Sequence, residues 1–251
     1  MKKVNDYDKY AAERQERLKK GEKLSHKYVE KPMMSDMLPS LSDKKVLMVG
    51  CGTGEETKLL EKSGVKSLTG IDISPESIKL ANETYPNHSF EVGDMHHIEF
   101  PDNTFDFAYS SLTIHYSAEP LKVLREIYRI LDKDGQILFS VGHPLRWSAE
   151  TINIYGTPTS VLGYAIDKTK PRVYGTYNSY TQHEANFISG EALQFWVGAP
   201  SFYYQLLKEA GFVVDDFQES KAIKSCEAVN SYYYQKYSEL PQFMAFLATK
   251  K

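Results

Sequence analysis

The stretch VLMVGCGTG, residues 46–54, decides the fold of this 251-residue chain. Its first four residues are apolar and include two valines, which is typical of a buried β-strand. Glycines at positions 50, 52 and 54 follow at once, and glycine lets the backbone turn tightly and approach a ligand with no side chain in between. A helical pattern begins directly after them, over 55–64. The stretch therefore predicts a buried strand that passes through a glycine turn into a helix.

Strand and helix patterns continue to alternate after this turn. Strands are predicted at 67–73, 89–94, 104–111 and 136–142, and helices at 75–84 and 121–131. Ser74 and Pro75 suit the N-cap and the first position of a helix. Such alternation indicates an α/β fold, a parallel sheet with helices on both faces. Two final strands, at 212–218 and 242–249, are predicted to pair antiparallel.

The chain is predicted to divide into a helical cap, a sheet domain and an insertion. Residues 1–39 are charged with scattered apolar positions, and 40–251 carry the α/β pattern. Between about 145 and 199 the sequence is rich in Tyr, Gly, Ser and Thr, which predicts a β-rich lid at the sheet edge where open α/β sheets bind ligands. The helical pattern returns at 201–210, with Gly211 as its C-cap.

Composition argues against several functional classes. The formal net charge of −3 gives no general attraction to nucleic acid, whose binding surfaces are strongly basic. The polar N-terminus does not resemble a signal peptide, and no apolar run approaches the roughly 18 residues of a membrane span. Cys51 and Cys226 are too few for a disulfide framework. We therefore expect a soluble, cytoplasmic monomer or homodimer that binds neither nucleic acid nor membrane.

Two aspartates end later strands of the predicted sheet. Asp72 lies 18 residues after Gly54, at the end of the second strand, where a carboxylate can accept hydrogen bonds from both hydroxyls of a ribose. Asp94 ends the third strand, where a carboxylate can accept a hydrogen bond from the amine of adenine. Either acid alone would be better explained as a solvated strand end. Together, at the ends of successive strands, they predict an adenosine site.

The residue after the glycines indicates which adenosine ligand is bound. Dinucleotide-binding turns have a small residue in the region where this chain has Glu55. A carboxylate there would also repel a pyrophosphate, and no Gly-Lys-Ser/Thr follows to form a P-loop. S-adenosylmethionine lacks phosphate, and its cationic sulfur tolerates nearby carboxylates. The sequence therefore favours S-adenosylmethionine over a nicotinamide dinucleotide.

The ordered motifs resemble those of the class I, Rossmann-like methyltransferases that use S-adenosylmethionine. The resemblance is carried by VLMVGCGTGEE (46–56), GIDISPESIKLA (70–81), EVGDMHHIEFPDNTFDFAYSSLTIHY (91–116) and LREIYRILDKDGQILFSV (124–141). It covers about 44–143 without a gap. It implies a three-layer sandwich whose seven-stranded sheet is mostly parallel, with an antiparallel last strand.

The resemblance also implies an activity and a binding site. The expected reaction is methyl transfer from S-adenosylmethionine to a small molecule, with S-adenosylhomocysteine as product. The glycines would approach the methionine part of the cofactor, Asp72 would bind the ribose, and Asp94 with the Met95 backbone would bind adenine. Ser110 would lie beside the sulfonium and the substrate. The implied cofactor-binding set is Gly50, Cys51, Gly52, Gly54, Asp72, Ile73, Asp94, Met95, Ser110 and Tyr10.

One position departs from the family pattern. The family commonly has an acid two positions before the first glycine, where it helps to hold the amino group of the cofactor. Here that position is Met48. Either another group takes the contact, with Tyr10 and Glu55 as candidates, or the affinity for the cofactor is reduced. The departure concerns the methionine end of the site more than the adenosine end.

Two histidines are candidates for a catalytic base. Methyl transfer depends mainly on orientation and desolvation, and a base is needed only if the nucleophile carries a proton. His115 and His143 both follow predicted strands, and an imidazole has an ordinary pKa of about 6.5 that suits base work. Either could instead cap a strand end or shape the pocket. His96 and His97 lack ligand spacing and a third partner, so we predict a surface loop and no metal.

Other functions stay open at this stage. The missing acid at Met48 leaves room for aminopropyl transfer, or for cyclisation or lysis of S-adenosylmethionine, which would leave methylthioadenosine. A non-catalytic module that binds the cofactor would consume none, and a nicotinamide enzyme is a more distant alternative. Methylation of a nucleic-acid base is disfavoured, because Ser110-Ser111-Leu112 stands where such enzymes have an Asn/Asp-Pro-Pro-aromatic motif.

Overall fold

The structure, a computed structural model, describes residues 16, 23–167, 169–170, 172–188 and 191–251. The strands of these residues are β1 (Lys45–Val49), β2 (Ser67–Asp72), β3 (Ser89–Val92), β4 (Phe105–Ser110), β5 (Leu131–Gly142), β6 (Glu150–Ile154), β7 (Thr157–Val161), β8 (Gly163–Tyr164), β9 (Val173–Tyr174), β10 (Thr181–Ile188), β11 (Glu191–Val197), β12 (Phe212–Glu219) and β13 (Phe243–Lys250). The helices are α1 (Lys31–Met37), α2 (Thr57–Lys62), α3 (Pro75–Thr84), α4 (Pro120–Ile130), α5 (Pro144–Trp147), α6 (Pro200–Ala210) and α7 (Ser231–Glu239). A π-helical turn, His26–Glu30, runs directly into α1, and 3₁₀ turns lie at Ile114–Tyr116 and Lys224–Cys226.

One seven-stranded sheet forms the centre of the fold, in the order β12-β13-β5-β4-β1-β2-β3. β1 pairs parallel with β2 and β4, β2 with β3, and β4 with β5. β13 is antiparallel to both of its neighbours, β5 and β12. The predicted seven-stranded, mostly parallel sheet with an antiparallel last strand is therefore confirmed.

The apolar sequence of β1 explains its central position. Leu47 and Val49 belong to the hydrophobic cluster on one face of the sheet, and Val46 and Met48 belong to the cluster on the other face. A strand with both faces covered by helices reads as a continuous apolar run rather than as an alternating one. The strand order reverses at β1, and ligands of open α/β sheets bind at such a switch point, beyond the carboxyl ends of the strands.

Two predicted helix ends are confirmed in detail. The Ser74 side chain caps α3 by accepting a hydrogen bond from the Ser77 backbone N–H at 3.1 Å, and Pro75 is the first helical residue. Gly211 ends α6 in the left-handed conformation, with φ of 106°. Both ends follow from local chemistry, because a short hydroxyl side chain satisfies a free N–H and glycine adopts positive φ without strain.

Helix α2 begins two residues later than predicted. The helical pattern over 55–64 suggested a start at Glu55, but the helix begins at Thr57. The preceding residues form turns instead, in which the Gly54 N–H donates to Cys51 O at 3.0 Å and the Thr57 N–H donates to Gly54 O at 3.1 Å. The positive φ of Gly54 holds this segment out of the helix, so the glycine loop extends further than its motif.

Residues 145–199 form three two-stranded sheets, β6–β7, β8–β9 and β10–β11. The predicted β run over 172–180 contains only the short strand β9. β10–β11 returns to the sheet domain, where the ring of Phe195 lies 5.9 Å from that of His115 and 4.9 Å from that of Trp147. The insertion therefore packs beside residues that follow β4 and β5.

The division into a helical cap, a sheet domain and a lid remains a prediction. Most of residues 1–22 lie outside the described part of the chain. None of the helices in the described ranges combines the length and the apolar character that crossing a bilayer requires.

Candidate functional site

The glycine loop leaves β1 through an unusual backbone path. Gly50, Gly52 and Gly54 have φ of 70°, 53° and 79°, in the left-handed region that disfavours residues with a side chain. The N–H groups of Gly50 and Cys51 both donate to Ile71 O, at 2.8 and 2.9 Å. These bonds tie the loop to β2, so bare backbone is presented at the carboxyl edge of the sheet.

Asp72 is fixed at the end of β2 by two backbone donors. Its Oδ2 accepts from the Gly52 N–H at 2.8 Å, and its Oδ1 accepts from the Ser74 N–H at 3.0 Å. The carboxylate is only half buried, and each oxygen has a second lone pair. The arrangement joins the glycine loop to the start of α3 and holds a preorganised acceptor between them.

Asp94 is held by a neighbouring histidine. Its Oδ1 accepts from the His96 backbone N–H at 2.8 Å and lies 2.7 Å from His96 Nδ1. The other ring nitrogen, Nε2, lies 2.7 Å from Ser117 Oγ. Partial burial acts to raise the pKa of Asp94, but the contacts with His96 outweigh it and lower the pKa. Asp94 is therefore ionised and oriented at neutral pH.

The prediction that His96 belongs to a plain surface loop is wrong. Its ring is half buried and bridges Asp94 to Ser117, the residue after the 3₁₀ turn that follows β4. Only His97 of the pair is exposed. The sequence carries no signal for this bridge, because Ser117 is 21 residues away and reaches His96 only in the folded chain.

A small pocket of about 10 Å³ lies beside Gly50. Its walls come from the end of β1, the glycine loop, the end of β4 and the π-helical turn. Met48 contributes an apolar wall, whereas the polar groups come from other elements. These polar residues are His26, Glu55, Glu56, Tyr109 and Ser111.

We call His26, Glu30 and Glu56 the acidic cluster: His26 and Glu56 line this pocket, and Glu30 contacts His26. Glu30 is fully buried, and its Oε1 accepts from Ser111 Oγ at 2.8 Å and from Ser140 Oγ at 2.7 Å. His26 Nε2 lies 3.4 Å from Glu30 Oε2 and 3.8 Å from Glu56 Oε1. The imidazole therefore stands between two buried carboxyl groups that come from different elements.

The electrostatics of the acidic cluster favour uptake of positive charge. Burial raises the pKa of Glu30 to about 7, and repulsion from Glu56 adds to this, while hydrogen bonds from the two serines and the charge of Lys31 act against it. Lys31 Nζ lies 3.2 Å from Glu56 Oε1 but is one-third exposed. Burial and the same two carboxyl groups raise the pKa of Tyr109 well above its ordinary value.

A group of possible metal ligands overlaps this cluster. His26, Glu55 and Glu56 bring ligand atoms within 4.8 Å of one another. Sequence reasoning named Glu55 but missed His26 and Glu30, which lie 15 or more positions before the start of β1 and belong to no motif. Their approach to the glycine loop depends on how the π-helical turn packs.

The comparison with known families decides the identity of this fold. Residues 47–139 match the family described as a methyltransferase domain. They run from β1 through the glycine loop into β5, within a sheet of the order expected for a Rossmann-like methyltransferase. Residues 47–139 are thus similar to the methyltransferase domain of the class I S-adenosylmethionine-dependent enzymes. The matched segment includes Asp72 and Asp94, whereas the π-helical turn and residues 145–199 lie outside it.

Similar proteins carry related names. The demethylmenaquinone methyltransferase of Thermotoga maritima is 26% identical over 180 residues, which are 71% of this chain and 74% of that protein. The malonyl-(acyl-carrier protein) O-methyltransferase of Serratia marcescens is 31% identical over 97 residues, which are 39% of this chain and 38% of that protein. The crystal structure of an S-adenosylmethionine-dependent methyltransferase from Mesorhizobium loti has a TM-score of 0.69 at 20% identity, covering 88% of this chain and 97% of that one. The chain spans about half the length, or less, of several curated relatives that it matches.

The residues of this site fit S-adenosylmethionine, the cofactor of the matched methyltransferase family. The glycine loop leaves room at the end of β1, and Asp72 is an oriented acceptor beside it. Tyr109 Oη is buried at the pocket and has no hydrogen-bond partner among the described residues. Buried polar atoms are nearly always hydrogen-bonded, and a polar ligand would supply the partner that Tyr109 Oη lacks within the described ranges.

The remaining predicted cofactor residues differ in how accessible they are. Ser110 is fully buried, and its hydroxyl donates to Val49 O at 3.0 Å, so it links β4 to β1. Tyr10 lies outside the described residues. Cys51 is buried, Met95 is half buried, and Ile73 is exposed.

His115 is a poor candidate for a proton acceptor in this protein. It lies in the 3₁₀ turn after β4, buried between the rings of Tyr116 and Phe195 at 4.6 and 5.9 Å. Desolvation lowers the pKa of His115 to about 3. Its Nδ1 has no hydrogen-bond partner within the described ranges. The ring is therefore neutral, and a proton placed on it would be held weakly.

The burial of His115 should make this protein sensitive to acid. The unfolded chain takes up this proton near pH 6.5 and the folded chain only near pH 3, so stability present above about pH 6.5 is lost as the pH falls. Between pH 7 and pH 5 we expect the free energy of unfolding to fall by about 2 kcal/mol more than in His115→Leu. Urea unfolding at both pH values measures this, with His97→Leu as the exposed control. Equal pH dependence of wild type and His115→Leu would contradict the assignment.

The candidate role of His143 as a catalytic base does not fit the structure. Its Nδ1 accepts the N–H of Leu145 at 3.1 Å and so caps α5, and its Nε2 lies 2.9 Å from Glu219 Oε1. Burial lowers the pKa of His143, and Glu219 partly opposes this. With both nitrogens engaged inside the protein, neither remains for a substrate. The alternative reading of His143 as a cap is the one that the geometry supports.

Proposed function

We propose that this protein transfers the methyl group of S-adenosylmethionine to a small-molecule acceptor and produces S-adenosylhomocysteine. The observation that carries the proposal is the joint position of the glycine loop and Asp72, which share the hydrogen bond from Gly52 to Asp72 Oδ2. Glu55 and Glu56 stand where a pyrophosphate would be repelled, which favours a phosphate-free nucleoside. The names of the Thermotoga and Serratia relatives support a methyl acceptor that is not a nucleic acid.

Different residues of the chain bind different parts of the cofactor. Asp72, which the Gly52 and Ser74 N–H groups hold in place, accepts from the ribose hydroxyls. Asp94, held by His96 through Oδ1, accepts from the adenine amine with Oδ2. The glycine loop approaches the methionine part. When bound, S-adenosylmethionine supplies a methyl group on cationic sulfur.

The protein's part in the chemistry is to orient the reactants and exclude water. The acceptor site that we propose lies beyond β4 and β5, beside the 3₁₀ turn and under β10–β11. Orientation alone can account for much of the acceleration of an in-line displacement. Because His115 and His143 are unsuited to proton transfer, an acceptor that ionises without a strong protein base fits best. We further propose a cytoplasmic protein, monomeric or homodimeric, whose buried Cys51 and Cys226 stay reduced.

Product analysis tests the proposal. The protein is incubated with methyl-labelled S-adenosylmethionine and a panel of carboxylic acids, phenols, thiols and amines, and the nucleoside product is identified by mass spectrometry. We expect S-adenosylhomocysteine in equal amount to a labelled acceptor. Methylthioadenosine would instead indicate aminopropyl transfer, cyclisation or lysis. Binding of the cofactor with no turnover across the panel would favour a non-catalytic module, and either result would overturn the methyl-transfer proposal.

A further inference from the structure

The acidic cluster contains a fully buried carboxyl group, Glu30, with one oxygen that is not hydrogen-bonded within the described ranges. Glu30 has 0% of its surface exposed, and its Oε2 has no hydrogen bond among the described residues, although His26 Nε2 lies 3.4 Å away. Lys31 contacts Glu56 but not Glu30 within 4 Å. Buried carboxylates are costly unless they are paired and hydrogen-bonded. A second cation at this place would lower that cost.

A separate observation points to a ligand at the same place. Tyr109 is 1% exposed, and its hydroxyl lines the pocket together with His26 and Glu56, without a hydrogen-bond partner in the described part of the chain. Tyr109 comes from β4, so its position is independent of the elements that carry the carboxyl groups. A hydroxyl that can donate or accept one hydrogen bond beside two carboxyl groups suits a small polar cation.

The cluster lies beside the position that lacks an acid. Met48 and Gly50 line the same pocket, and the side chain of Met48 carries no charge. We infer that Glu56 and Glu30, with His26 between them and the Tyr109 hydroxyl beside them, hold the ammonium group of the cofactor's methionine part in place of an acid at position 48. This inference rests on the proposed function, because it assumes a ligand with that ammonium group. The carboxyl groups come from the π-helical turn and from the segment before α2 instead of from β1.

Binding of the ammonium group is then coupled to the release of a proton from Glu30. In the part of the chain that the structure describes, the Glu30 carboxyl faces His26, Glu56, Lys31 and the hydroxyls of Ser111 and Ser140. Its charge also acts on Tyr109. Without a ligand, Glu30 keeps its proton up to about pH 7. An ammonium group favours the ionised carboxylate, so its arrival expels that proton. The affinity for the ligand should therefore rise as the pH rises from about 5 to 7.

Two ligands that differ in this group separate the possibilities. S-adenosylhomocysteine carries the ammonium group, whereas methylthioadenosine has the same nucleoside and thioether but lacks it. In Glu56→Gln, calorimetry at pH 6.5 should show binding of S-adenosylhomocysteine weakened about 10- to 100-fold. Binding of methylthioadenosine should change less than about twofold. Glu61→Gln is the matched control, since Glu61 lies on the exposed face of α2 and makes a surface contact with His88.

The proton provides a readout that a merely structural role would not change. Calorimetry in two buffers of different ionisation enthalpy measures how many protons are released on binding. The wild-type protein should release a proton on binding S-adenosylhomocysteine but not on binding methylthioadenosine. Glu30→Gln should abolish the release. Thermal unfolding checks that the variants fold, and His26→Gln replaces any variant that does not.

Several outcomes would overturn the inference. Equal weakening of both ligands in Glu56→Gln, unchanged affinity for S-adenosylhomocysteine, or no proton release would each do so. Binding of Mn²⁺ that Glu56→Gln abolishes, with no effect of this substitution on S-adenosylhomocysteine, would assign the cluster to a metal instead. If the wild-type protein binds neither nucleoside, the proposed function itself fails, which is distinguishable from a failure confined to the ammonium group.

Discussion

Replacing Gly50 by alanine is expected to reduce the affinity for S-adenosylhomocysteine at least about 100-fold and to lower the free energy of unfolding by about 2–5 kcal/mol. Gly50 has φ of 70°, where a side chain is strained. A Cβ at this position would lie 2.1 Å from Thr113 Cγ2 and 2.4 Å from Thr113 Oγ1. The threonine cannot move away freely, because its hydroxyl donates to Ser111 O at 3.0 Å and lies 3.3 Å from Gly50 O. The loop must therefore shift, and its contact with the cofactor is lost.

Calorimetry and urea unfolding of Gly50→Ala measure the two effects. Gly156→Ala is the matched control: Gly156 has φ of 85° with no atom within 4 Å of its added Cβ, so it isolates the backbone strain. We expect the control to cost about 1–2 kcal/mol of stability and to leave ligand affinity unchanged. If Gly50→Ala bound the ligand as tightly as the control does, the glycine loop would not be the cofactor-binding element.

Asp72→Ala is expected to weaken binding of S-adenosylhomocysteine by about 5- to 150-fold, which corresponds to about 1–3 kcal/mol. The substitution removes the acceptor that we assign to the ribose. It also releases the Gly52 and Ser74 N–H groups, which now donate to the carboxylate at 2.8 and 3.0 Å. Part of the loss therefore comes from a less ordered glycine loop, so the upper end of the range is expected.

Binding of a second ligand separates the loss of the ribose contact from the loss of order in the glycine loop. Wild-type protein should bind an analogue that lacks both ribose hydroxyls less tightly than S-adenosylhomocysteine, and Asp72→Ala should lose most of this discrimination. Asp106→Ala is the control, because Asp106 also accepts a backbone N–H, from Lys45 at 2.8 Å, at the opposite edge of the sheet. Undiminished discrimination in Asp72→Ala would contradict the ribose assignment, whatever the total loss of affinity.

Predictions from the sequence succeeded where the signal was local. The apolar run of β1, the cap at Ser74 and the left-handed end at Gly211 each depend on one residue or a short segment, and all three are confirmed. The strand pairing at the end of the chain followed from alternation and order. The start of α2 was placed too early, because the helical pattern does not reveal that the turns of the glycine loop extend to residue 56.

Predictions failed or stayed open where a role depends on distant partners. His143 looked like a base because it follows a strand, but Glu219, 76 residues later, and the start of α5 occupy its ring. His96 looked like surface, but Ser117 anchors it. The cofactor roles of Asp72, Asp94 and Ser110 remain predictions, and Ser110 has its hydroxyl engaged with Val49 O.

By itself, the sequence determined the alternation of strands and helices, the glycine turn and the placing of two aspartates at the ends of successive strands. Periodicity, capping and positive φ are properties of adjacent residues, so they can be read without knowing the fold. Only the tertiary structure decided which charges meet: Glu30 reaches Ser140 across 110 residues and Ser111 across 81. Burial then changes how these groups hold protons, as it does for His115. Desolvation and long-range contacts arise from packing of the whole chain, and no local pattern records them.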